Sequence, residues 1–187
     1  GAALLQDVLA SVMAFAAYSL YLFLNSWLPS YLSATFPITA STSGLIAALF
    51  PVMGVLSRSG GGVLSDRLFG GNRLGVLRLS FLLASPVVAL MVVTSRLAVV
   101  VALLIVAGFT IQLSFGVVYA YVREAVTEDI SGTALSVLGT AGIAGAFTAP
   151  LVAGALIDAS GAYTTAFGYA VALGVVGLAL TAVAPDS

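Results

Sequence analysis

Long apolar runs, broken by a few charged or turn-forming clusters, set the pattern of this chain. A helix crossing a bilayer needs about 20 mainly apolar residues, and the breaks divide the sequence into six such spans. They cover residues 8–32, 41–65, 75–93, 97–121, 131–157 and 163–183. Trp27, Pro29 and Tyr31 give the first span an aromatic–proline edge, and Arg96 marks a very short turn before the fourth. The predicted fold class is all-α, a single six-helix membrane bundle over residues 1–187. Six spans divide into three plus three, the inverted-repeat unit of many transporters.

Other residues predict a bundle that bends and packs closely. Pro51, Pro86 and Pro150 fall inside spans, where proline kinks a helix and frees backbone groups that neighbours must satisfy. Gly139, Gly142 and Gly145 recur at three-residue spacing, and Gly54 and Gly60 to Gly62 punctuate the second span. Small residues of this kind let a second helix backbone approach.

Composition strengthens the membrane reading and removes several chemistries. Apolar residues make up 61% of the chain and charged residues 7%, with mean hydropathy +1.19, whereas a soluble domain carries about 25% charged residues. Cysteine and histidine are both absent. That excludes disulfides, thiolate zinc sites, His-ligated haem and Ser/His/Asp catalysis within the chain. No metal, cofactor or enzymatic activity is expected. A net charge of −1 argues against a nucleic-acid partner. The chain opens on Gly1 without a basic n-region, so no signal peptide is expected and the sequence reads as a segment of a longer protein.

Charge sets the expected orientation. Arg67, Arg73 and Arg78 flank the break between spans two and three, and Arg123 follows span four. The opposite side has only Arg96. By the positive-inside rule both termini and both charged loops are cytoplasmic, in the plasma membrane.

Arg58 is the main candidate for chemistry. It precedes Asp66 by eight residues, about 12 Å of helix rise, too deep to snorkel fully. A charge at that depth is costly and marks a functional-site candidate. Its guanidinium is a planar fork suited to carboxylate, nitrate or phosphate oxygens; a buried structural partner is the alternative. Tyr18, Tyr21 and Asn25 share one face of span one, and Gln112 and Tyr119, seven apart, share a face of span four. Each stripe either lines a polar cavity or packs. Asp7, Asp66, Glu124, Glu128, Asp129 and Asp158 all lie at span ends or in loops. This half therefore has no evident proton-coupling carboxylate.

The segment Gly62-Val-Leu-Ser-Asp66-Arg67-Leu-Phe-Gly70-Gly71-Asn-Arg73 resembles the loop signature between the second and third helices of a major facilitator superfamily half. Phe69 and the extra Gly71 shift its spacing. Arg123-Glu124, Ser131 to Ala134, Gly145, Pro150, Gly154, Asp158, Gly161, Tyr163 and Phe167 are similar to the fourth through sixth helices of such a half. The resemblance covers essentially the whole chain. It implies one of two six-helix halves, with the other half as partner and a substrate cavity between them. The C-terminal half is favoured, because span four lacks the arginine motif of an N-terminal half and Ala184-Pro-Asp-Ser reads as an ending.

The resemblance also implies site residues. In the family's loop motif the Asp approaches a helix N-terminus in the opposite half. Asp66 and Arg67, with Arg73, Arg123 and Glu124, would then form a conformational lock; an ordinary solvated charge pair is the alternative. Arg58 with Gly61 and Gly62 is similar to the nitrate/nitrite porters, where one such arginine from each half grips the anion. The fifth-helix glycine signature of those porters is only loosely echoed by Gly142 to Pro150, so another small or organic anion stays open. The leading expectation is a secondary transporter of a small anion working by alternating access. A drug or metabolite exporter with a structural Arg58 and a non-transporting membrane scaffold are its rivals.

Overall fold

The computed structural model describes the backbone of residues 2–68 and 70–185, with side chains described outside residues 2–3, 59–66 and 68. The helices are α1 (Ala2–Thr35), α2 (Ala40–Leu68), α3 (Arg73–Val93), α4 (Leu97–Ala125), α5 (Glu128–Ser160) and α6 (Tyr163–Val183). They match the six expected spans, and each is long and apolar enough to cross a membrane. α1, α2, α4 and α5 run beyond their apolar windows by up to a turn or more at one or both ends. Helical hydrogen bonding continues past the hydrocarbon boundary, which an apolar window cannot register.

Short caps explain the breaks. Gly70 and Gly71 both have positive φ, +58° and +89°, and turn the chain between α2 and α3. Asn72 then caps α3, its Oδ1 accepting from the Gly75 amide at 2.9 Å. Gly161, at φ +69°, closes α5 in the left-handed conformation, with its amide bonded to the Ile157 carbonyl.

Packing follows an internal twofold. α1 packs most extensively on α5, and α4 on α2; α3 packs on α4, as α6 does on α1. Exchanging α1–α3 with α4–α6 maps each pairing onto its mate, as three-plus-three inversion requires. α1 and α4 are the two central helices. Lipid offers no hydrophobic force between helices, so small residues and backbone acceptors carry much of the association. Gly174 and Gly177 of α6 admit Ser85 and the Phe81 ring of α3. Tyr31 donates to the Met91 carbonyl at 2.7 Å, capping the last turn of α3. Arg78 places two donors, at 3.0 and 2.9 Å, on the Thr181 carbonyl near the end of α6. The residue four positions on is Pro185, which has no N–H to offer that carbonyl.

Candidate functional site

The site grows out of the α2·α4 seam, where two glycines remove the bulk that would hold the helices apart. A Cβ on Gly108 would lie 2.7 Å from the Phe50 carbonyl oxygen, and one on Gly54 would coincide with the carboxamide of Gln112. Gln112 is 1% exposed and lies in the space Gly54 leaves. Its Nε2 donates to the Phe50 carbonyl at 2.8 Å and to the Gly108 carbonyl at 3.2 Å. Two carbonyl acceptors require the NH2 there, which fixes the amide orientation. Oε1 therefore faces α2, where it accepts from Arg58 Nη2 at 3.4 Å. One residue earlier, Ser57 donates to the Phe109 carbonyl at 2.6 Å and pins the same seam.

Aromatic rings complete the arrangement. The Arg58 guanidinium carbon lies 5.3 Å from the Phe115 ring centroid, within cation–π range. Phe115 stacks on Tyr18 at 4.4 Å and meets Tyr21 edge-on at 5.3 Å, and Tyr21 stacks on Phe50 at 5.5 Å. The Tyr18 hydroxyl lies close enough to Tyr119 and to Arg58 to interact with both electrostatically. Five of the six expected substrate residues thus converge, namely Arg58, Tyr18, Tyr21, Gln112 and Tyr119. Asn25 lies two turns beyond Tyr18 on α1 and is exposed. Gln112 is buried with its amide engaged by protein, whereas Arg58 is exposed and its partners among the described residues are neutral. Phe115 completes the register 112, 115, 119 on α4, a helical spacing that could have picked it out from sequence.

The residues expected to form the lock share one end of the bundle. Arg73 Nε meets Glu124 Oε1 at 3.1 Å, so the start of α3 is tied to the end of α4. Arg67 is exposed. Arg123 lines a cavity of about 300 Å³ with Val126, Glu128 and Ser131. The side chains of Asp66 and of Gly60 to Gly62 lie outside the described residues.

With this geometry in view, the family comparison decides the lineage. The profile described as Major Facilitator Superfamily matches residues 9–186. The chain belongs to that superfamily. Three curated relatives agree. It is 31% identical over 114 residues to the nitrate/nitrite transporter NrtP of a Picosynechococcus species, covering 56% of this chain and 20% of that protein. It is 34% identical to the probable sulfoacetate transporter SauU of Cupriavidus necator, covering 80% of this chain and 36% of that protein. It is 30% identical to a glucose-6-phosphate exchanger of Mus musculus, covering 79% and 29% respectively. The chain thus spans between 20% and 36% of the length of these relatives. The superfamily and the six apolar helices establish a multi-pass membrane protein, and the relatives are transporters rather than enzymes.

Proposed function

We propose that residues 1–187 form one six-helix half of a secondary transporter that moves a small anion by alternating access. The observation that carries this reading is the state of Arg58. It is a cation on a membrane-spanning helix, beside the phenols of Tyr18 and Tyr119, and its partners among the described residues are an amide oxygen and an aromatic ring. Neutral partners orient a guanidinium and leave its charge for a ligand. The substrates in the relatives' names support the same chemistry, since nitrate, nitrite, sulfoacetate and glucose 6-phosphate are all oxygen-bearing anions. A guanidinium edge matches such oxygens with two parallel donors.

In this reading Arg58 grips the anion, while Tyr18, Tyr21, Tyr119 and Asn25 line the polar face around it. The other six-helix half of the same transporter supplies the facing wall. Asp66, Arg67, Arg73, Arg123 and Glu124 form the lock at one rim, supported by the Arg73–Glu124 bond between the start of α3 and the end of α4. The arginine-rich loops, and with them both termini, face the cytoplasm of a plasma-membrane protein.

Flux of nitrate, sulfoacetate and glucose 6-phosphate into proteoliposomes holding the full-length protein tests this. Arg58→Ala is expected to cut flux of the transported anion about 10- to 100-fold, the effect of losing a charge-assisted pair. Undiminished anion flux in that variant leaves Arg58 a structural residue and favours an exporter of neutral solutes.

A further inference from the structure

We propose that Gln112 is a positioning residue for Arg58, a neutral acceptor seated by Gly54 that fixes the guanidinium without neutralising it. The inference rests on the reading of Arg58 as the anion contact, and it assigns Gln112 a role behind that contact instead of on the substrate.

Three observations carry it. Gln112 is 1% exposed, so its amide is closed to a solute. Both donors of that amide are engaged by main-chain carbonyls on two different helices, Phe50 on α2 and Gly108 on α4. The amide therefore cannot rotate without stranding donors in a low-dielectric interior, a costly outcome. Its oxygen is held as a fixed point toward Arg58, whose Nη2 donates to it. Finally, the amide occupies the space where a Cβ on Gly54 would stand. Any side chain at position 54 displaces the amide, and with it the acceptor.

The charge state of the acceptor is the functional point. An amide oxygen and a carboxylate oxygen have nearly the same size and reach, but a carboxylate at position 112 would pair with Arg58 and cancel its charge. An oxyanion would then compete with a protein carboxylate for the same donors. A glutamine orients the fork and leaves the full positive charge available. Phe115 acts in the same sense, holding the guanidinium by its ring face without supplying a counter-charge.

The test uses the full-length protein in proteoliposomes, with flux of nitrate, sulfoacetate and glucose 6-phosphate as probes and the transported one followed in detail. Gln112→Glu preserves size but replaces the Nε2 donor with an oxygen facing two carbonyls, so a lowered melting temperature is expected and monodispersity checks that it folds. Its KM for the anion is expected to rise about tenfold or more at pH 8, the scale of one charged pair. The KM ratio of variant to wild type is expected to fall toward one as the pH is lowered and the introduced carboxylate takes up a proton. The titratable groups facing position 112 are Arg58 on α2, Tyr18 and Tyr21 on α1, and Tyr119 on α4; those of α3 and α5 lie toward the helix ends. None of these groups is a carboxylate, so such a ratio reports the one introduced at position 112.

Gly54→Ala supplies a second arm. It is expected to raise KM while the protein stays folded, and Gly54→Ala combined with Gln112→Ser is expected to relieve the clash without restoring KM. A folded Gln112→Glu with wild-type KM at every pH overturns the positioning role. So does a loss of folded protein with KM unchanged in what remains, which would mark Gln112 as a packing residue alone. If Arg58→Ala also leaves anion flux intact, or the wild type moves none of the three anions, the transport reading has failed and this inference falls with it. Loss in Arg58→Ala beside a silent Gln112→Glu sinks the positioning role and spares the anion contact.

Discussion

The α2·α4 and α1·α5 seams are related by the internal twofold, and they use glycine for different ends. In α2·α4, Gly54 makes room for the Gln112 amide, and every polar group described there is bonded: Gln112 to two carbonyls, Ser57 to a third, Arg58 to Gln112. In α1·α5, Gly142 faces the Tyr18 ring and Gly145 faces the Phe15 carbonyl, so the glycines bring ring and backbone together. Ser19, fully buried in that seam, has no hydrogen-bond partner for its hydroxyl among the described residues. Directed hydrogen bonds cluster around Gln112 in the first seam, whereas in the second close approach dominates and the indole of Trp27, donating to the Pro150 carbonyl at 3.0 Å, is a directed bond between the helices. Arg58 stands on the first. On the proposed reading, one seam of the repeated scaffold serves mainly for packing while its mate orients the Arg58 guanidinium.

Substitutions can break this contrast at either seam. The largest expected effect is at Gly145. A Cβ there overlaps the Phe15 carbonyl and lies 2.7 Å from Ser19 Oγ. Because backbone cannot step aside as a side-chain tip can, Gly145→Val should lose about 1–3 kcal/mol or fail to fold. Monodisperse yield and melting temperature in detergent will show it, and a normal yield would mean the seam is looser than described. Gly108→Ala meets the Phe50 carbonyl in the other seam and should cost a similar amount. Gly54→Ala meets only the Gln112 side chain, so its effect should appear in transport and little in stability.

Smaller changes sharpen the comparison. Ser57→Ala removes a bonded hydroxyl, and should destabilise by about 0.6 kcal/mol, the average for an interhelical hydrogen bond in a membrane protein. Trp27→Phe, which deletes the indole donor to the Pro150 carbonyl at 3.0 Å, should cost about the same in α1·α5. Ser19→Ala is expected to be neutral or slightly stabilising, since it deletes an unsatisfied buried group. If Ser19→Ala instead costs as much as Ser57→Ala, the two seams do not differ as described. Glu124→Gln, which removes the partly exposed partner of Arg73, should change stability by about 0–1 kcal/mol, read in the same melts.

Much of this was legible along the chain, and the remainder has a physical reason. Six apolar runs and the charged clusters between them suffice for the spans, because bilayer thickness fixes helix length. Helix faces are harder to read. In lipid both the buried and the outward faces are apolar, so hydrophobic period does not separate them. Tyr18 and Tyr21 could be placed on one stripe, and Gln112 with Tyr119 on another. That the two stripes meet over Phe115 depends on how α1 and α4 are rotated. Gly54 reads as generic close packing in sequence; its role as the seat for Gln112 needs the partner helix. The Arg73–Glu124 pair likewise joins two helix ends whose kinship the sequence suggests but whose partner atoms only the fold selects.

The most direct test compares Arg58→Lys with Arg58→Ala in reconstituted full-length protein, measuring anion flux against substrate concentration. A lysine keeps the charge and loses the planar fork. The account predicts near-complete loss in Arg58→Ala and a raised KM with residual flux in Arg58→Lys. Equal, wild-type anion kinetics in both variants would contradict it.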